Sequence, residues 1–78
     1  MAIRLEDLTV ILLEAVPPEA PRAYDGDAPL TDAGLDSLDV SNFLLMVEEK
    51  YGIQISNEEI ETLNTLNDIL AFVNARIA

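Results

Sequence analysis

Apolar side chains at Leu5, Leu8, Leu12 and Ala15 recur every three or four residues, and Ile11 and Val16 widen the stripe until Pro17-Pro18 breaks it. Such spacing stacks the apolar residues on one face of a helix, so it predicts a first helix that the prolines, which lack an N–H, bring to an end. All four prolines and two of the three glycines then fall between Pro17 and about Leu35, with Tyr24, Leu30 and Leu35 as isolated apolar anchors. This stretch reads as a long loop. A connection of that size is unusual in so short a chain and is most often functional or mobile, which directs attention to its far end, Asp36-Ser37.

Neither proline nor glycine interrupts the chain from Asp36 to Tyr51. Asp36 is placed to cap the free N–H groups of a second helix, and Gly52 to close it. At 100° per residue Val40, Phe43, Leu44, Val47 and Tyr51 share one stripe, the expected core face. Leu38, Ser41, Asn42, Leu45, Glu48 and Glu49 share the opposite one. Leu38 and Leu45 therefore form a small exposed apolar strip among acids, the kind of surface a partner covers. Single exposed leucines are ordinary, so the pair alone leaves an interface and a bare surface equally open.

Ser56-Asn57-Glu58-Glu59 is a capping box, flanked by Ile55 and Ile60 at the positions of a hydrophobic staple, and it opens a short third helix. Thr65 can cap a fourth, whose stripe is Leu66, Ile69, Leu70, Val73 and Ile77. Ile53-Gln54-Ile55 is too short to count as a strand, and no internal repeat is visible. The expected fold is all-α: a small antiparallel four-helix bundle of three main helices and one short one, with a long loop between helices 1 and 2, forming a single domain over residues 1–78.

Composition narrows the functional classes. The chain has 78 residues, fifteen acids against four bases, a net charge of −11, and neither cysteine nor histidine. One small core is all that this length supports. Disulfides, thiolate metal sites and the usual near-neutral acid/base are absent. So dense a polyanion repels nucleic-acid phosphates and anionic membranes and attracts basic protein surfaces. The apolar run Leu8 to Val16 is interrupted by Glu14, lacks a basic leader and is too short to span a bilayer. A cytoplasmic monomer with basic protein partners is expected.

The aspartates around the loop, Asp25, Asp27, Asp32, Asp36 and Asp39, invite a test for calcium. An EF-hand loop begun at Asp25 meets Pro29 and Leu30 where an oxygen ligand and a glycine are required, and one begun at Asp32 meets Ser37 at the glycine position. No dedicated metal site is expected. Paired carboxylates need a cleft that separates their pKa values, which a bundle of this size does not readily provide. Ser37 has no imidazole in the chain to activate it, so catalytic residues are expected to be none and the protein is not an enzyme. From position alone Ser37 is an ordinary first-turn helix residue. It is also a hydroxyl that a second protein could reach.

The segment Gly34-Leu35-Asp36-Ser37-Leu38-Asp39 resembles the Asp-Ser-Leu signature of acyl carrier proteins. The likeness extends through the first helix and the proline-containing loop to Val47-Glu48-Glu49-Lys50-Tyr51-Gly52-Ile53-Gln54-Ile55-Ser56 and Thr65-Leu66-Asn67-Asp68-Ile69, nearly the whole chain, and length and acidity match free-standing carriers. The resemblance implies that Ser37 is the attachment site of a 4′-phosphopantetheine arm, installed from coenzyme A by a phosphopantetheinyl transferase and ending in a thiol that holds an acyl or aminoacyl group as a thioester. It further implies that Asp36, Leu38, Asp39, Leu45, Glu48 and Glu49 dock partners. Those partners would be a loading enzyme and condensing or other acyl-processing enzymes with basic surfaces. Helical periodicity places most of the same residues opposite the core.

Asn42 and Asn57 stand where carriers of primary fatty acid synthesis usually show acids, Lys50 interrupts the acidic run, and Ser41 replaces a small apolar residue. These departures favour a dedicated carrier of polyketide, peptide or other specialised biosynthesis. An aminoacyl or peptidyl carrier loaded by an adenylating enzyme is the alternative within the same chemistry. An unmodified acidic helical module that binds a basic partner is the alternative outside it.

Overall fold

The computed structural model describes residues 2–19 and 24–77. Four α-helices follow one another: α1 (Leu5–Ala15), α2 (Ser37–Tyr51), α3 (Asn57–Ile60) and α4 (Leu66–Ile77). They form the small helical bundle that the periodicity predicts. Helix α1 stops before Pro17, with Val16 in an extended conformation (φ −105°, ψ 158°) as a following proline demands. The core joins Leu8, Ile11 and Leu12 of α1, Phe43, Leu44 and Val47 of α2, and Leu66, Ile69 and Val73 of α4. All belong to the sequence-derived stripes, whose end members Leu5, Ala15, Val40, Tyr51, Leu70 and Ile77 are only half-buried. Helix α1 packs on both α2 and α4. Helix α3 buries no side chain completely.

The connection ahead of α2 is more ordered than its composition suggests. Leu30–Ala33 form a 3₁₀ turn, and Leu30 and Leu35 are both buried in the core. Part of the expected loop, residues 20–23, lies outside the described residues. What holds the remainder is pairing with the start of α4. Leu30 N donates to Asn64 O (2.9 Å), Asn67 N donates to Gly26 O (3.0 Å), and Asn67 Nδ2 donates to Asp27 Oδ1 (2.6 Å). Pro29 and Thr65 make an isolated β-bridge. These contacts join segments remote in sequence, so local propensity does not report them.

At Gly26 the loop lies close against α1 and the start of α4. A β-carbon there would sit 2.9 Å from both Asn67 Oδ1 and Leu5 Cδ2. Both atoms are free ends of side chains, so Gly26→Ala displaces them rather than backbone, and its main cost is the Asn67–Asp27 hydrogen bond, about 0.5–1.5 kcal/mol. The thermal midpoint is therefore expected to fall by a few degrees, at about 4–8 °C per kcal/mol for a domain of this size. A drop beyond about 12 °C would show that backbone, not the Asn67 and Leu5 side chains, has to give.

Candidate functional site

The site is built where the loop enters α2. Gly34, at φ +89°, turns the chain out of the 3₁₀ turn in a conformation that an L side chain rarely adopts. Buried Leu35 then anchors it to the core. Asp36 caps the helix: its Oδ1 accepts from Asp39 N (2.9 Å), while Asp39 Oδ2 accepts from Asp36 N (3.5 Å). With the backbone fixed on either side, Ser37 becomes the first residue of α2 and its side chain is exposed.

Removing the cap should loosen this entry without unfolding the bundle. Asp36→Ala is expected to cost about 1 kcal/mol and to speed amide exchange in the first turn, whereas Asp36→Asn, which keeps an acceptor oxygen, should lose much less. Equal effects of the two variants would mean that charge, not capping, is what Asp36 contributes.

Ser37 stands at the edge of a cleft of 220 Å³ between the start of α2 and the α3 region. Leu30, Val40, Ile60 and Leu63 give it apolar walls, and Thr31, Ser41, Glu61 and Asn64 give it polar groups. From sequence Ile60 and Leu63 are open to two readings, plain core or residues that part to admit an acyl chain between helices 2 and 3. Leu30, Thr31 and Asn64 carried no signal for such a role, because only the pairing of the loop with Asn64 brings them to Ser37.

The proposed docking residues separate into two groups. Leu38 and Leu45 remain 66% and 53% exposed, so the apolar strip is real surface, and Asp36 and Glu49 are exposed beside it. Asp39 and Glu48 are half-buried, and their carboxylates also hold backbone. Glu48 Oε2 accepts from Ile55 N (2.9 Å), fastening the α2–α3 connection to α2. Periodicity shows which way such a residue points but not what its carboxylate binds. Among the described residues no group of three or more aspartates or glutamates is placed to hold a metal ion, and no helix is long and apolar enough to cross a membrane.

Residues 10–73 match the family pattern described as "Phosphopantetheine attachment site". The chain belongs to the acyl carrier protein family. It is 40% identical over 65 residues to an acyl carrier protein of Thermosynechococcus vestitus, covering 83% of this chain and 72% of that protein. It is 27% identical over 71 residues to one of Chlamydia caviae, covering 91% and 92% respectively. A solution structure of butyryl-ACP from the actinorhodin polyketide synthase of Streptomyces coelicolor superposes with a TM-score of 0.86 at 21% identity, over 99% of this chain and 93% of that one. At that identity the match speaks for the fold. As a member of this family the protein is a carrier, not a catalyst, and bears a covalently attached 4′-phosphopantetheine. Its partners as a class are phosphopantetheinyl transferases and acyl-processing enzymes.

Proposed function

We propose that Ser37 bears the 4′-phosphopantetheine and that the protein presents acyl thioesters of a specialised pathway, such as polyketide assembly, to successive enzymes. The observation that carries the assignment is the placement of one exposed hydroxyl at the head of α2, on the edge of an apolar-walled cleft. In the attachment step Ser37 Oγ forms a bond to the pantetheine phosphorus of coenzyme A. The pyrophosphate P–O bond breaks, adenosine 3′,5′-bisphosphate leaves, and the serine proton passes to a base of the transferase. When bound, the group supplies a thiol that holds cargo as a thioester.

Ser37 and its neighbours fit that role. An exposed first-turn side chain leaves room for a phosphodiester, and the helix N-terminus favours its negative charge. The adjacent Asp36 and Asp39 carboxylates oppose it, so a covalent bond rather than ionic attraction must hold the group. Leu30, Val40, Ile60 and Leu63 offer an acyl chain a surface away from water. Exposed acids on α2 steer basic partners quickly, and the short Leu38/Leu45 strip adds contact without making release slow. Asn42, Lys50 and Asn57 thin the acidity of this side, which supports a partner set other than that of primary fatty acid synthesis.

Intact mass is the test. Incubation with coenzyme A and a broad-specificity phosphopantetheinyl transferase should add one phosphopantetheine, and no gain would overturn the assignment. An acylated sample extends the test to the cleft. Amide shifts should reach Val40, Ile60 and Leu63; shifts confined to the neighbours of Ser37 would place the cargo in solvent.

A further inference from the structure

The far wall of the Ser37 cleft is built around the shortest helix of the bundle. Helix α3 is four residues long and has no fully buried side chain, yet its Ile60, with Glu61 and Leu63 just beyond, forms that wall. A helix this short has no stability of its own. Its position must come from whatever ties it to its neighbours.

Glu48, through Ile55 N, and the buried Ile55 and Leu63 secure the segments on either side of α3, and Arg76 in the last turn of α4 reaches the helix itself. Its guanidinium lies 4.4 Å from the centroid of the Phe72 ring. One nitrogen donates to Gln54 O (3.3 Å), and the other donates to the carboxylate of Glu59. The remaining oxygen of Glu59 accepts from Ser56 N (3.0 Å) and so completes the cap of α3. An isolated exposed ion pair contributes little, because two long side chains lose freedom for one contact. Here the ring, the carbonyl and the carboxylate share a single guanidinium geometry, so that freedom is lost once for three contacts. The Ser56 N–H, together with the Ser56 hydroxyl and Arg76, holds the Glu59 carboxyl below its usual range.

We propose that Arg76 is a positioning residue that clips α3 to the end of α4 through Glu59 and thereby sets how often the cleft beside Ser37 opens. The proposal rests on the reading of Ser37 as the attachment site. Release of the clip would let α3 swing away from α2 while the α1, α2 and α4 core stays packed. Cargo in the cleft would then meet water or an enzyme more often. Local opening of this kind is a distinct, less costly event than global unfolding.

Amide exchange on the full chain measures the clip directly. The amides of Ile60, Glu61, Thr62 and Leu63 all bond within the α3 region, to Ser56, Asn57, Glu59 and Ile60 respectively. Arg76→Gln and Glu59→Gln should each speed their exchange by roughly 1.5- to 5-fold, the range of an exposed ion pair. Glu59→Gln keeps an oxygen for Ser56 N, so it separates the clip from the cap. The double variant should exchange no faster than Arg76→Gln alone, since that change already removes the link that Glu59→Gln breaks. Core amides such as those of Leu12 and Val47 should keep wild-type rates. Unchanged exchange in α3, additive effects, or acceleration shared by the whole chain would overturn the clip.

A second readout uses the carrier charged with an octanoyl group from octanoyl-coenzyme A. Hydrolysis of the thioester should quicken in the variants by a similar factor. Normal loading with equal hydrolysis in every form would overturn the control of the cleft alone. A wild-type chain that takes up no phosphopantetheine would overturn the Ser37 reading itself, and with it the role of the cleft.

Discussion

Ser37→Ala is expected to take up no phosphopantetheine at all under conditions that convert the wild-type chain completely. The change should leave the fold intact. Ser37 is exposed, the cap of α2 belongs to Asp36, and alanine is a good helix former, so stability should stay within about 0.5 kcal/mol of wild type. A variant that fails to load while melting normally therefore reports chemistry rather than folding. The neighbouring hydroxyls sharpen the result. Thr31 and Ser41 line the same cleft, and Ser41 is one helical turn from Ser37. Uptake that survives Ser37→Ala but vanishes in Ser41→Ala would move the site one turn along α2 and discard the assignment made here.

Phe43→Ala should have the opposite signature, a collapse of structure from a residue that touches no partner. Phe43 is fully buried and is the largest of the fully buried side chains. Removing a buried phenylalanine costs about 3–5 kcal/mol, made up of lost transfer energy and the cavity left behind. A domain under about 80 residues has roughly 3–5 kcal/mol of stability in total. The variant should thus be largely unfolded at 25 °C, with loss of helical circular dichroism and of amide shift dispersion. Leu38→Ala is the control on the same helix: a larger part of Leu38 is already in water, so its melting should hardly change. A Phe43→Ala midpoint lowered by less than about 10 °C would mean that the core collapses around the gap or is not organised on this ring.

Taken together, the two variants divide α2 into a buried face that folds the protein and an exposed face on which Ser37 is proposed to carry the arm. The periodicity of the sequence already draws that division. Val40 and Tyr51, half-buried rather than buried, mark where the core face thins at the two ends of the helix. Caps were equally legible, because a capping box links residues only three apart. The Asp36/Asp39, Ser56/Glu59 and Thr65/Asp68 pairs all close on one another.

Other features could not be read from neighbouring residues. The loop between α1 and α2 is a composition of breakers in sequence, and its described part from residue 24 on is held by Asn64 and Asn67 more than thirty residues away. Asn74 likewise holds the opening segment, with its side chain accepting from Ile3 N and donating to Ile3 O. Glu48 reads as one more surface acid on α2, but its carboxylate secures Ile55 seven residues on. Arg76 carries no signal in the sequence, because Glu59 and Gln54 lie about twenty residues before it.

What the sequence by itself determined is the set of helices, their buried stripes, and an exposed serine at the head of α2 in an acidic chain without histidine or cysteine. Each depends on contacts within about one or two helical turns, which residue spacing encodes directly. The tertiary structure alone decided that Ser37 borders a cleft, that Leu30, Thr31 and Asn64 complete its walls, and that Arg76 fastens the helix forming its far side. Those relations join residues tens of positions apart, and they exist only once the stripes have packed and brought the loop, α3 and the end of α4 into register.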